Sequence, residues 1–214
     1  MDYYQTNYRD YLAQNPDKKI QFYLNKIKKY AGNMRSIFEI GFGKGLFLKK
    51  ASEAGLAVSG CEINQEATKE TKNLLPKAKL YCGEFDQNLS DLEIITAFDV
   101  VEHIKEVEKL FDLVFKKLKP GGLFVFVCPV YDGPLGALVN LLDKDLTHLH
   151  KKSRFFWIKT AEENGFKILE WQGILRYLLP NKYYIHQEMR GLLKFISPAM
   201  LVVCSKPYDR ISMP

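Results

Sequence analysis

The chain has 214 residues, 47% of them hydrophobic, including 14 Phe, 12 Tyr and 2 Trp. That length suits one domain with a sizeable core, and the aromatic content excludes a disordered chain. The formal net charge of +6 sits largely in short runs, Lys18-Lys19, Lys26/Lys28/Lys29, Lys116-Lys117-Lys119 and Lys151-Lys152. These read as solvated helix faces or helix C-termini before they read as a nucleic-acid or membrane surface.

The first residues, MDYYQTNYRDYLAQN, are polar and tyrosine-rich, without the apolar core of a signal peptide. No stretch approaches the ~20 apolar residues of a membrane span, so no transmembrane segment is expected and the cytoplasm is the expected location. An amphipathic helix follows, with Ile20, Tyr23/Leu24, Ile27 and Tyr30/Ala31 at helical spacing. Ser36–Ile40 reads as a buried strand ending at Gly41, and a helix from about Lys44 to Ala54 is closed by Gly55. The alternation repeats: strand Ala57–Glu62, helix Gln65–Leu74, strand Ala78–Cys82, strand Leu92–Phe98. A helix follows with Val107, Leu110/Phe111, Val114/Phe115 and Leu118 on one face. Pro120-Gly121-Gly122 breaks that helix, and Leu123–Cys128 is a continuous apolar strand buried on both faces. Alternating strands and helices of this length predict βαβ units and a doubly wound, mostly parallel sheet with helices on both faces.

The last third is less regular. Residues 130–150 read as a loop with a short helix near Leu135–Leu142, and Ser153 is placed to cap a helix running to Asn164-Gly165. Strands are expected at Phe166–Gln172 and Ala199–Cys204, with a helix near Tyr184–Phe195 between them. Segment 173–198 is aromatic and basic. It reads as packed irregular structure, with a substrate cap, a homodimer surface or a face resting on lipid as the other readings. The four cysteines, Cys61, Cys82, Cys128 and Cys204, form no C-x-x-C pair. They read as small buried hydrophobes of a reducing compartment and give no reason for zinc.

The strongest chemical signal is Glu39-Ile40-Gly41-Phe42-Gly43-Lys44-Gly45 at a strand-to-helix turn. Glycines there let the backbone approach a ligand, and a helix N-terminus presents free N–H groups. Strand two ends at Glu62, where a carboxylate can accept from both hydroxyls of a ribose. The third glycine falls one residue early for G-x-G-x-x-G, because Leu46 holds that position, which argues against NAD and FAD. No G-x-x-x-x-G-K-[ST] phosphate loop is present. The pair points to a ligand containing adenosine.

At these residues the chain resembles the class I S-adenosylmethionine-dependent methyltransferases, and within them the quinone-biosynthesis and small-molecule group. EIGFGKG, SGCEIN, ITAFDVVEHI, LKPGGLFVFVCP and HLHKKSRFFWIKTAEENGFKILE carry the resemblance over residues 36–172, and SPAMLVVCSKP resembles the last strand. The resemblance implies one seven-stranded Rossmann-like domain: an N-terminal helical cap (1–34), a cofactor-binding half (35–129) and a substrate-side half (130–214). It implies S-adenosylmethionine as cofactor and a small-molecule methyl acceptor. Gly41, Phe42, Gly43 and Gly45 would line the methionine part, and Glu39 would brace the loop or reach the amino group. Glu62 and Ile63 would hold the ribose side. Glu84 and Phe85 sit where the family reads adenine, although the family more often has Asp at the first. Phe98 and Asp99 would face the methionine end or the acceptor. The family opens strand four with Phe-Asp, whereas this chain has Leu92-Glu93, a departure expected to affect the strand's start more than the site.

Methyl transfer from a sulfonium is chiefly a matter of alignment, with a base needed only for a protonated acceptor. His148, in the loop after strand five, matches the family's loop histidine and is the first candidate base. His103, just past strand four, is the second, and His150 is expected to face solvent. Tyr131, Phe155, Phe156 and Trp157 are candidates to wall an aromatic acceptor. Asp99, Glu102 and His103 match the acid-x-x-Glu-His spacing that binds a divalent ion in some relatives; metal-free relatives share the tripeptide, and no metal is assigned. Methylation on oxygen or carbon is expected. The alternatives are a nucleic-acid or protein methyltransferase, weakened by the absence of an N/D-P-P-Y tetrad after strand four, and a non-catalytic binding protein of the same fold.

Overall fold

Ile20, Tyr23, Leu24, Ile27 and Ala31 form the buried face of helix α2 (Asp17–Ala31), preceded by the single turn α1 (Tyr11–Gln14). The computed structural model describes residues 11–85, 88–134, 136–143, 145, 147–178 and 184–208. Gly32, with φ at 52°, ends α2, a conformation that glycine adopts without a Cβ penalty. Lys26 then ties the helix to the far side of the sheet through Glu170 at 2.6 Å and Glu188 at 2.7 Å.

Strands β1 (Ser36–Ile40), β2 (Ala57–Glu62), β3 (Lys79–Cys82), β4 (Leu92–Phe98) and β5 (Leu118–Pro129) run parallel. They alternate with helices α3 (Leu46–Glu53), α4 (Gln65–Leu74) and, before β5, α5 (Val107–Lys117). Asn64 caps α4 by accepting from the Ala67 N–H at 2.8 Å, which satisfies one of the orphan donors of its first turn. After β5 come α6 (Gly136–Leu142), α7 (Arg154–Glu163), β6 (Lys167–Leu178), β7 (Tyr184–Met189), a 3-10 turn (Gly191–Ile196) and β8 (Ala199–Ser205). Ser153 caps α7, accepting from the Phe156 N–H at 3.2 Å.

The sheet order is β3-β2-β1-β4-β5-β8-β6-β7. Along β5 the side chains alternate between two cores. Leu123, Val125 and Val127 pack with α2 and α3, while Phe124, Phe126 and Cys128 pack with Phe111, Trp157 and Ala161 of α5 and α7. A strand covered on both faces has no use for polar residues, which accounts for the unbroken LFVFVC run. Strands β1 to β3 step outwards in one direction and the chain then returns to place β4 on the other side of β1. That reversal opens a crevice at the carboxyl ends of β1 and β4, where open α/β sheets bind their ligands.

Three expectations are corrected. Among the described residues the sheet has eight strands, not seven. The helix expected near Tyr184–Phe195 is strand β7 followed by the 3-10 turn. Strand β6 runs on to Leu178 and pairs with β7 from Gly173↔Met189 to Leu178↔Tyr184, so ladder bonds with a neighbouring strand decide the conformation there. Of the cysteines, Cys61, Cys128 and Cys204 are buried but Cys82 is exposed, because β3 is an edge strand. No helix among the described residues is long and apolar enough to cross a membrane.

Candidate active site

The glycine loop leaves β1 at the crevice. The Gly41 N–H donates to the Cys61 carbonyl at 2.8 Å and the Gly45 N–H to Phe42 at 2.9 Å, so the turn is tied to β2 and to itself. Gly43 has φ at 53°, and a Cβ there would lie 2.7 Å from the Tyr11 hydroxyl. Both backbone and space therefore demand glycine. Tyr11 reaches over the loop, accepting from the Lys44 N–H at 3.2 Å. The Phe42 ring is buried in the core with α2 and α3, which leaves its backbone to line the loop.

Two acidic side chains lie beneath the loop. Glu39 is buried, and its Oε2 has no hydrogen-bond partner among the described residues. Burial, with the Glu62 carboxylate nearby, pushes the Glu39 carboxyl well above the usual range. Glu62 accepts from the Gly43 N–H and the Asn64 N–H, each at 2.9 Å. Each of its oxygens keeps a lone pair for a ribose hydroxyl, and the orphaned oxygen of Glu39 suits an ammonium donor, so this end fits an aminoacyl nucleoside such as S-adenosylmethionine. Ile63, beside Glu62, is 57% exposed, an apolar surface at the strand end where an adenine can rest. Glu84 is exposed at the end of β3. Phe85 turns the other way: its ring is buried 5.3 Å from that of Phe38, which takes it out of the group of side chains facing the crevice.

At the end of β4, Phe98 stacks on Tyr23 at 4.6 Å and meets Phe47 edge-on at 4.8 Å. Asp99 has φ at 58°, a left-handed conformation that Asp tolerates better than most residues. Its carboxylate accepts from Arg176 of β6, and from Lys19 of α2 at 3.4 Å. Burial alone would raise the Asp99 carboxyl, but Arg176 and Lys19 outweigh it and hold it far below the usual range. His186 of β7 packs against Phe22 at 4.9 Å and Tyr23 at 5.6 Å. Burial, then the charges of Lys19 and Arg176, push its imidazole down to about 4.

Beyond Asp99 the chain makes a 3-10 turn, Val101–His103. The Glu102 carbonyl accepts from the N–H groups of Leu149 at 3.0 Å and His150 at 3.1 Å, which pins the loop carrying His148 against the turn. The two histidine rings lie 4.7 Å apart. The Nδ1 of His148 donates to Asp143 at 2.8 Å, and the Tyr131 hydroxyl donates to the same oxygen at 2.5 Å. Burial would raise Asp143, yet these two hydrogen bonds hold its carboxyl below the usual range. The Nδ1 of His103 lies 3.1 Å from the Thr147 carbonyl. Burial, with His148 beside it, lowers the His103 pKa, so its ring is neutral near pH 7. Glu102 is 1% exposed, and burial, with Asp99 nearby, pushes its carboxyl well up.

The sequence candidates therefore divide. Glu39, Gly41, Gly43, Gly45, Glu62, Phe98, Asp99, His103 and His148 meet along one edge of the sheet, and of the four aromatics only Tyr131 joins them. Trp157 is fully buried in the core and Phe155 is 68% exposed, because α7 uses one face to cover the sheet. His150 does not face solvent: its Nε2 lies 2.9 Å from the Ile104 carbonyl and its ring stacks on Phe156. Lys19, Tyr23 and Asp143 escaped the sequence reading. Asp143 carried a signal, an acid five residues before a histidine, whereas Lys19 stood in a helix as one lysine among several.

Several surface lysines are paired with acids, as in Lys50–Asp17, Lys109–Glu106, Lys116–Asp112 and Lys159–Glu163.

Residues 4–170 match a family model described as a methyltransferase domain. Ubiquinone biosynthesis O-methyltransferase of Coxiella burnetii is 23% identical over 175 residues, spanning 72% of this chain and 73% of that protein. A structure of an S-adenosylmethionine-dependent methyltransferase from Methanosarcina mazei superposes with a TM-score of 0.66 at 15% identity, covering 86% of this chain and 98% of that one. A candidate methyltransferase from Bacillus halodurans gives a TM-score of 0.67 at 14% identity, with the same coverages of 86% and 98%. At such identities the structures speak for the fold alone, and the family match carries the activity. The chain belongs to the methyltransferase-domain family and is a class I, S-adenosylmethionine-dependent methyltransferase.

Proposed function

We propose that this enzyme methylates a hydroxyl of a small molecule held over the carboxyl ends of β4 and β5, between the loop of residues 130–153 and the β6–β7 hairpin. The single observation that carries the reading is His148: Asp143 holds its Nδ1–H at 2.8 Å, which leaves Nε2 beside the turn that follows β4, 4.0 Å from Glu102 Oε1. An imidazole backed by a carboxylate is oriented to take a proton from an acceptor hydroxyl. The Coxiella relative is named as an O-methyltransferase, which supports oxygen over carbon. On the donor side, Gly41, Gly43, Gly45 and Glu39 would hold the methionine end, Glu62 and Ile63 the ribose and adenine, and Glu84 the outer rim of the adenine. Phe98 and Asp99 would divide the two sides.

Calorimetric titration with S-adenosylmethionine, S-adenosylhomocysteine and NAD, followed by a labelled-methyl assay on phenol and catechol, tests the reading. Selective binding of the first two and methylation of a ring hydroxyl are expected. His148→Ala should keep cofactor affinity while turnover falls by about 10²–10⁴; unchanged turnover would remove His148 from the chemistry. Tight cofactor binding with no methylation of either phenolic probe would count against a hydroxyl acceptor.

A further inference from the structure

Strand β6 overshoots its neighbours at the crevice. Ile174 pairs with Ala199 of β8, which pairs in turn with Pro129 at the carboxyl end of β5. Beyond Ile174, residues 175–178 pair with β7 alone among the described residues. Arg176 sits on that overhang, opposite His186 in the register. Helix α2 closes the same space from its own side. Lys19 places Nζ 3.4 Å from Asp99, 5.4 Å from the centre of the Tyr184 ring and 5.8 Å from that of Tyr23.

This cluster holds more positive charge than negative. Lys19 and Arg176 share one carboxylate, Asp99. Burial, with Asp99 nearby, keeps the neighbouring Glu102 carboxyl protonated, and burial with the same two cations keeps His186 neutral near pH 7. Two cations on one anion leave a positive charge uncompensated in a largely buried place, which is costly. The donors are not spent either. Arg176 Nη1 donates to Asp99, while its Nη2 and Nε have no acceptor among the described residues. The Tyr23 hydroxyl lies beside Arg176 but, like Nε2 of His186, is buried without a hydrogen-bond partner there. Buried polar groups are nearly always paired, and a guanidinium fork matches a carboxylate through two parallel bonds. Asp99 holds one end of that fork and is itself 32% exposed, so the cluster opens to solvent.

We infer that Arg176, with Lys19, Tyr23 and His186 around it, is a subsite for a carboxylate carried by the methyl acceptor, which makes the substrate a hydroxy acid. The inference rests on the hydroxyl acceptor proposed above and adds the group that anchors it. The methionine carboxylate of the cofactor has the same chemistry. Three strands separate β6 from β1 and its glycine loop in the sheet, which favours the acceptor, and the test separates the two.

The test compares 3-hydroxybenzoate and 4-hydroxyphenylacetate with the carboxamide of each, on the full chain. Binding is titrated calorimetrically in the presence of S-adenosylhomocysteine, and turnover is read with labelled S-adenosylmethionine. At least one acid is expected to bind about tenfold or more tighter than its amide, with the difference appearing in KM. Arg176→Met should bring that ratio below about threefold, and Arg176→Lys, which keeps the charge without the fork, should restore part of it. Affinity for S-adenosylmethionine should stay close to normal in both variants. Equal binding of acid and amide, binding of neither, or a preference that survives Arg176→Met overturns the inference. A fall in cofactor affinity with the acid preference intact assigns the cluster to the cofactor's carboxylate and overturns it as well. Should Arg176→Met fail to fold, Arg176→Lys and the comparison of acid with amide on the unsubstituted chain decide. Selective binding of an acid without methyl transfer supports the subsite and counts against the hydroxyl acceptor. Equal turnover of acid and amide removes the subsite and leaves the hydroxyl acceptor standing.

Discussion

The two halves of the crevice are built on different principles. The donor half is made by residues close in sequence: Gly41, Gly43, Gly45 and Glu62 come from one strand-loop-helix-strand passage, and their contacts are largely backbone ones, such as the Gly43 N–H on Glu62 at 2.9 Å. The acceptor half is collected from across the chain. Asp99 meets Lys19 from 80 residues upstream and Arg176 from 77 downstream, and His103 meets Thr147 from 44 residues away. In the proposed reading a backbone cradle would hold the cofactor, the reactant that stays the same when the acceptor changes. A site built of side chains on loops can change its acceptor without disturbing the sheet that carries it.

That contrast can be broken by mutation. The largest effect is expected from Gly43→Val, which forces a β-branched residue to φ near 53° with its Cβ 2.7 Å from the Tyr11 hydroxyl. Affinity for S-adenosylmethionine, measured calorimetrically, should fall by about a hundredfold or more. Near-normal affinity would mean that the loop does not hold the cofactor. Glu62→Ala removes an acceptor and orphans two loop N–H groups, so cofactor binding should weaken by roughly 1–3 kcal/mol. On the acceptor side, Arg176→Met leaves Asp99 with the more distant Lys19 as its cation. Urea denaturation should show a loss of about 2 kcal/mol, while cofactor affinity stays close to normal; an equal loss of cofactor affinity would erase the division between the halves.

The smallest effect concerns pH. His186 is held down to about 4 by burial and by the charges of Lys19 and Arg176, against about 6.5 in an unfolded chain. A depressed imidazole favours the neutral form in the fold, so its stabilising contribution is complete above pH ~6.5 and is lost as pH falls toward 4. His186→Gln should flatten the fall of the thermal midpoint across that window. An identical pH profile in the variant would show that the His186 environment does not discriminate between the two charge states.

Much of the architecture was legible in the linear chain because helix and strand periods differ and because a strand buried on both faces must be apolar throughout. The run Leu123–Cys128, the cap at Ser153 and the glycine loop follow from such local rules. Strand β7 did not. A helix was expected near Tyr184–Phe195, and the ladder to β6 holds Tyr184–Met189 extended instead. His150 looked like a loop residue in solvent until the turn at Glu102 drew it back to the Ile104 carbonyl.

The donor half could be read directly because its geometry is a property of consecutive backbone, where glycine at a left-handed position and an acid at a strand end leave marks at fixed spacing. The acceptor half had to wait for the fold. Whether Asp99 is a metal ligand or a charge anchor depends on where Lys19 and Arg176 are brought, and whether Glu102 is solvated or stranded depends on what covers it. Coulomb interactions and desolvation act through space, and sequence separation carries no record of the distances over which they operate.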